Sequence, residues 1–173
     1  MHLVLSSPMW LTAILLILLL IAAIEDALRL RISNLTCAAV FVSGLVAMAM
    51  QGFPLHLWQN AVVFAAILAI GTGAFAAGWL GGGDVKLLAA IGLWMDLQSA
   101  LTLLIAVLLA GGVLGMIYIG ARVLLHGTKS SGRKYSKVPY GLAIVGGALF
   151  VFGIQLSHRA SDPMARLGLA PRP

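Results

Sequence analysis

From Pro8 to Ile24 the chain carries no charged side chain, and comparable apolar runs recur at about Leu35 to Gln51, Leu57 to Gly78, Val85 to Met95, Ser99 to Leu125 and Tyr140 to Leu156. A hydrocarbon core of about 30 Å is crossed by about 20 apolar residues in a helix. Inside lipid every backbone polar group needs a partner within the protein, so only helices and closed barrels span. Barrel strands alternate apolar and polar residues, and these runs do not. The pattern predicts an all-α integral membrane protein of six transmembrane helices, forming one domain over residues 1–156. A polar, disordered tail is expected over 157–173, with prolines at 163, 171 and 173. Composition agrees. Hydrophobic residues make up 61% and charged residues 9%, against roughly 45–50% and 25% in a soluble domain. Too few polar side chains exist to cover a water-exposed surface, and a disordered chain needs low hydrophobicity. No Lys or Arg precedes the first run, so it lacks the basic start of a secretory signal peptide and is expected to be retained.

The formal charge is +6, from 11 Lys and Arg against 5 Asp and Glu. No basic stripe or aromatic platform accompanies it, so no nucleic-acid partner is expected. The excess instead reads as a topology signal, with contact to anionic lipid second. Arg29 and Arg31 follow the first run, and Lys129, Arg133, Lys134 and Lys137 follow the fifth, with Arg122 just before. The connections near Pro54 and Gln98 carry no Lys or Arg. The two basic loops therefore face the cytoplasm, the Gly81–Asp84 connection lies on the same side, and both termini lie outside. Arg159, Arg166 and Arg172 in the tail run against that orientation.

Five acids can be weighed singly. Asp162 falls in the tail and Asp96 in a tight outer turn, where capping or solvation is the plain expectation. Glu25 adjoins Asp26 at the end of the first run and is read as interfacial. Asp84 follows Gly81, Gly82 and Gly83 between two apolar helices, and an ionisable group placed so is a functional candidate by default. It is equally placed to cap a helix. From Asp84 to Asp96 the helix is only about 18 Å long, so Asp84 is expected to start below the cytoplasmic surface, where Gly-rich irregular backbone survives beside protein or a water-filled cavity.

Other hydrolytic designs lack their parts. His2, His56, His126 and His158 lie outside the apolar runs or at their ends, so neither a helical zinc-binding His pair nor a Ser–His dyad can form within the membrane. Lys86 is the one Lys near a span and is two residues from Asp84, on nearly the opposite helix face. Cys37 is the single cysteine and supports no disulfide or Cys-rich metal site. Two carboxylates, Asp26 and Asp84, remain as the catalytic pair, with no metal or cofactor called for. Gly71, Gly73, Gly111, Gly115 and the Ser43–Gly44 pair are expected to serve helix packing.

Three stretches together resemble the type IV prepilin peptidases. Residues 26–34, from Asp26 through Arg29 and Arg31 to Ser33 and Asn34, are similar to the first aspartate motif of that family, with Ser33 where the family usually has Pro. Gly81-Gly82-Gly83-Asp84-Val85-Lys86-Leu87-Leu88 is similar to the Gly-x-Gly-Asp motif and its continuation. Residues 138–144, with Pro139, Tyr140 and Gly141, resemble a third family stretch at the start of the last helix. The likeness extends to about Leu156 and implies a Gly-x-Gly-Asp type of intramembrane aspartyl protease. The implied catalytic residues are Asp26 and Asp84, with Gly81 and Gly83 in the active-site loop and Lys86, Asn34, Pro139, Tyr140 and Gly141 in support. The implied substrate is a pilin precursor, a transmembrane helix behind a short basic leader, cut at the cytoplasmic face of a bacterial inner membrane. Long members of the family carry an extra cytoplasmic segment with paired cysteines and also methylate the new N-terminus. The short first loop and lone Cys37 make this chain similar to the short members, including those serving Flp/Tad-type pili, without methylation.

Physical chemistry allows the same reaction. Two close carboxylates do not both ionise easily and share a proton. The ionised one activates water and the protonated one polarises the scissile carbonyl, with neither role fixed to one residue. The rivals are a small proton-coupled transporter, which would place acids mid-span, and a non-catalytic pilus or secretion assembly subunit that keeps the fold.

Overall fold

The structure is a computed structural model that describes residues 7–52, 58–126 and 140–161; at 118–119, 121–126 and 158–161 only the backbone is described. Pro139, the basic stretch from Lys129 to Lys137 and the tail beyond Ser161 lie outside the described residues. Among the described residues there are six helices: α1 Met9–Arg29, α2 Asn34–Met50, α3 Trp58–Ala76, α4 Gly82–Gly92, α5 Leu97–His126 and α6 Tyr140–Ser161. Helices α1, α3, α5 and α6 contain stretches long and apolar enough to cross a membrane, and α2 is a shorter apolar helix. The chain is a multi-pass all-α membrane protein.

The ends of these helices follow from local chemistry. Helix α1 stops at Leu30, which takes a left-handed conformation (φ 52°) and donates its N–H to the Asp26 carbonyl at 2.8 Å. That conformation costs a leucine about 1–2 kcal/mol, and it turns the chain sharply enough for α2 to begin four residues later. Ser33 is the N-cap of α2, its hydroxyl accepting from the Leu35 N–H at 3.2 Å. Ser33 thus supplies a side-chain cap. After α3 the chain turns at Gly78, with φ at +77°, a value that glycine adopts without steric cost. At the other end of the bundle Asp96 accepts from the Ser99 N–H at 3.0 Å and starts α5, the capping role expected for it.

Helix α4 is the centre. It has only 11 residues, about 16 Å of helix, and it is apolar almost all round, which a helix tolerates only when surrounded. From Leu87 to Ile91, and on through Leu93, Trp94 and Met95 in the turn that follows, every side chain is buried. Helix α4 packs against α3, α2 and α6, while α1 bridges α2 and α6, and α5 joins α6 to α3. Buried polar groups hold its far end. Asn60 of α3 donates to the Leu93 carbonyl at 3.0 Å, and the Trp94 indole donates to the Val40 carbonyl of α2 at 3.3 Å. The first bond gives the Leu93 carbonyl a partner beyond the end of α4, and the second gives the buried indole N–H an acceptor that it shares with the Ser43 hydroxyl. Gly44 and Gly71 make the close packing possible: a Cβ there would meet Leu93 at 2.9 Å and Val85 at 2.7 Å. At Gly73 and Gly115 a Cβ would meet nothing within 4 Å among the described residues, so no close packing contact is seen at these two. The outer surface carries Ile17, Leu20, Ile70, Leu101, Leu108 and Phe150, all exposed, as lipid-facing positions are.

Three boundaries differ from the sequence expectation. Helix α1 runs on through Glu25 and Asp26 to Arg29 rather than stopping at Ile24. Helix α4 begins at Gly82 and ends at Gly92, not Val85 to Met95, because the cap lies before the glycines and residues 93–95 tighten into a turn. Helix α6 continues to Ser161 rather than stopping at Leu156; its backbone bonds are internal and do not end where apolar side chains do.

Candidate active site

The C-terminal end of α1, the N-terminal end of α4 and the N-terminal end of α6 converge on one open cavity of about 540 Å³. Its lining includes Asp26, Asp84, Tyr140 and Phe75, with loop residues 30–32 and 78–83. The two acids come from different helices, face the same cavity and lie within electrostatic reach of one another.

Asp26 is 4% exposed, an unusual place for a carboxylate. Helix α6 makes it tolerable. The Leu142 N–H donates to Asp26 Oδ2 at 3.2 Å, so the carboxylate sits at a helix N-terminus, where free N–H groups and the dipole favour negative charge. Gly141 is the residue that lets α6 come so near. A Cβ at Gly141 would lie 2.7 Å from Asp26 Cγ and 2.9 Å from Asp26 Cβ.

Asp84 occupies the third position of α4, and its Oδ2 accepts from the Gly81 N–H at 3.2 Å. It therefore caps its own helix while lining the cavity, so the capping and site readings of this residue hold together geometrically. The glycines before it each meet something. A Cβ at Gly81 would lie 2.5 Å from Asp84 Oδ2, and one at Gly83 would lie 3.2 Å from the Ile32 carbonyl oxygen. The first loop is thus seated directly on the Gly83 backbone, which fixes the distance between the α1 end and the α4 start.

Glu25 has a role that the sequence did not disclose. Its Oε2 accepts both the Ser33 N–H at 3.0 Å and the Thr36 hydroxyl at 2.9 Å. It clamps the short α1–α2 loop and the first turn of α2, and it does not line the cavity. Removing both bonds from a half-buried position costs about 1–3 kcal/mol. We expect Glu25→Ala to lower the midpoint of denaturant unfolding in detergent and Glu25→Gln, which keeps an acceptor, to lower it less; an unchanged midpoint for Glu25→Ala would contradict the clamp.

Lys86 and Asn34 are brought together, but away from the acids. Lys86 Nζ donates to Asn34 Oδ1 at 2.9 Å, beside Cys37 on the α2–α4 side. Neither lines the cavity of Asp26 and Asp84, so both support the bundle at that end rather than the acids directly. Cys37 is buried and its Sγ faces the Gly83 carbonyl at 3.6 Å. Tyr140 and Gly141 reach the site; Pro139 is outside the described residues. Among the described residues no group of three or more His, Cys, Asp or Glu is arranged to hold a metal. Sequence reading missed Phe75, Trp79 and the Leu142 N–H. Exposed Trp79 is legible as an interfacial aromatic, whereas a backbone donor from a distant helix leaves no trace in residue type.

A family model described as the type IV leader peptidase family matches residues 13–119. The chain belongs to that family. Comparison with curated proteins and with solved structures gives no match. The matched segment of this leader peptidase family member holds Asp26, the first loop, the Gly81–Asp84 turn and Lys86, and stops before α6. The helix that donates to Asp26 therefore lies beyond the matched range.

Proposed function

We propose that this membrane peptidase is an aspartic endopeptidase that removes the short basic leader from a type IV pilin precursor of the Flp/Tad-like kind. In this reading it acts at the cytoplasmic face of a bacterial inner membrane and leaves the new N-terminus unmethylated. The observation that carries the reading is the pairing of Asp26 and Asp84 on one open cavity at one end of the bundle. A relay for protons across the membrane would want acids distributed through the span. Here the carboxylate that is ionised takes a proton from water as the water oxygen attacks the scissile carbonyl. The protonated carboxyl donates to the carbonyl oxygen. Collapse of the tetrahedral adduct then breaks the C–N bond, and the leaving amine takes up a proton. Gly81 keeps a side chain off the Asp84 carboxylate, and Gly83 lets the first loop seat beside the start of α4. The test is cleavage of a membrane-inserted precursor by the purified chain, with Asp26→Ala and Asp84→Ala alongside. We expect a product with a free amine from the wild type only; equal product from either variant overturns the reading, and an added methyl group seen by mass spectrometry overturns its last clause.

Orientation has its own test. With Cys37→Ala as background, single cysteines at Ser131 and Gln98 should label from opposite sides of the membrane. Labelling of position 131 by an impermeant reagent in intact cells would contradict a cytoplasmic site.

A further inference from the structure

A second, nearly wholly apolar cavity of about 240 Å³ lies between α3 and α5 and reaches α6. Ile70 of α3 and Leu108 of α5 stand exposed on its rim, and Ala74 leaves its α3 wall low. This groove shares Leu80, Asp84 and Tyr140 with the polar cavity, so one continuous depression runs from the lipid-facing surface to the Asp84 carboxylate. Helices α3 and α5 pack over only a short stretch, which leaves the groove open to lipid along its length.

We propose that this groove docks the apolar transmembrane helix of the substrate, the segment that follows the scissile bond, with its cytoplasmic end at Asp84 and Tyr140. The inference rests on the peptidase reading above. Three features select a helix as occupant. Away from the end where Asp84 and Tyr140 sit, the lining is apolar and cannot serve exposed peptide groups, so the occupant must satisfy its own backbone there, as a helix does in lipid. Ala74, small on the α3 wall, allows a helix to approach closely, which is how helices associate where the hydrophobic effect gives no drive. Continuity with the polar cavity supplies what the end of such a helix needs. Where the chain unwinds to present a peptide bond to the carboxylates, its freed N–H and C=O groups reach a polar, open space. A leader in the cavity and a helix in the bilayer are parts of one chain, and the groove is the path that joins the two places.

The experiment compares two substrates: a membrane-inserted precursor, and a water-soluble peptide that carries the leader and scissile bond but no apolar helix. Ala74→Leu and Leu108→Trp narrow the groove; Ile17→Trp and Val42→Trp add the same bulk on exposed faces elsewhere. We expect the ratio of precursor to peptide cleavage to fall about tenfold for the groove variants, the effect of about 1.4 kcal/mol of lost docking, and to stay level for the other two. A ratio that is unchanged, or that falls equally in all four, overturns the docking site. Absence of cleavage of either substrate by the wild type would instead sink the peptidase reading on which it rests. Cross-linking gives a second readout that does not need the bulky variants to fold. In the Cys37→Ala, Asp84→Asn protein, a cysteine at Leu108 should couple to one in the apolar segment of the precursor, and a cysteine at Ile17 should not. No coupling at Leu108 would mean that the groove holds lipid chains only, and the proposal fails.

Discussion

Asp26→Asn and Asp84→Asn are each expected to lower the rate of precursor cleavage on the order of 10²–10⁴-fold, the range for general acid–base groups, with enzyme still inserted in the membrane. Asn keeps the shape of each side chain. Its carbonyl oxygen can still accept from Leu142 at position 26 and from Gly81 at position 84, so the hydrogen bonds seen here (3.2 Å in both cases) survive. What Asn loses is the exchange of a proton. A pair that holds one proton between two carboxylates works as a unit, and groups that act as a unit are not additive. The double variant should therefore be hardly slower than either single one. Asp96→Asn should leave cleavage near normal, because Asp96 caps α5 at the opposite end of the bundle. The decisive measurement is the rate across this set, normalised to enzyme in the membrane. Near-normal turnover by Asp26→Asn, or strictly multiplicative losses in the double variant, would break the pairing.

The second large effect belongs to a residue with no functional group. Gly141→Ala adds a methyl that would sit 2.7 Å from Asp26 Cγ and 2.9 Å from Asp26 Cβ. The second contact is not with the tip of a flexible side chain, so α1 and α6 must separate rather than let one oxygen swing aside. The Gly141 and Leu142 N–H groups then withdraw from Asp26, which is left buried without its donors. An unpaired buried acceptor costs about 1–3 kcal/mol, more when charged. Cleavage by Gly141→Ala is expected to fall about tenfold or more, with lower stability. Gly115→Ala and Gly153→Ala, where a Cβ meets nothing within 4 Å, should leave both unaffected. Equal behaviour of Gly141→Ala and Gly153→Ala would show that the approach of α6 to Asp26 does not matter.

These two predictions draw on different kinds of information. That the chain is a helical membrane bundle was determined by the sequence, since a row of uncharged apolar residues has one physical solution in lipid. The candidate pair was also legible, because the five acids are few enough to weigh individually and an acid beside Gly81–Gly83 in an apolar setting is costly unless used. Glu25 and Asp26 are adjacent in sequence and identical in charge type; the resemblance of residues 26–34 to a family motif singles out Asp26, but residue type and spacing alone do not say which faces the cavity. A helix advances about 100° per residue, so packing of α1 between α2 and α6 turns Asp26 toward the cavity and Glu25 toward Ser33 and Thr36. For Lys86 the two-position offset from Asp84 already puts it on the other side of α4, but only the packing of α2 against α4 names Asn34 as its partner. The donors to Asp26 are backbone N–H groups of a distant helix, Leu142 at 116 positions away and Gly141 beside it, and every residue type except proline carries that group. Residue type and spacing decide which helices form and which end of each is charged. Only the packing of α6 against α1, at a separation that Gly141 permits, decides where the buried carboxylate finds its hydrogen bond.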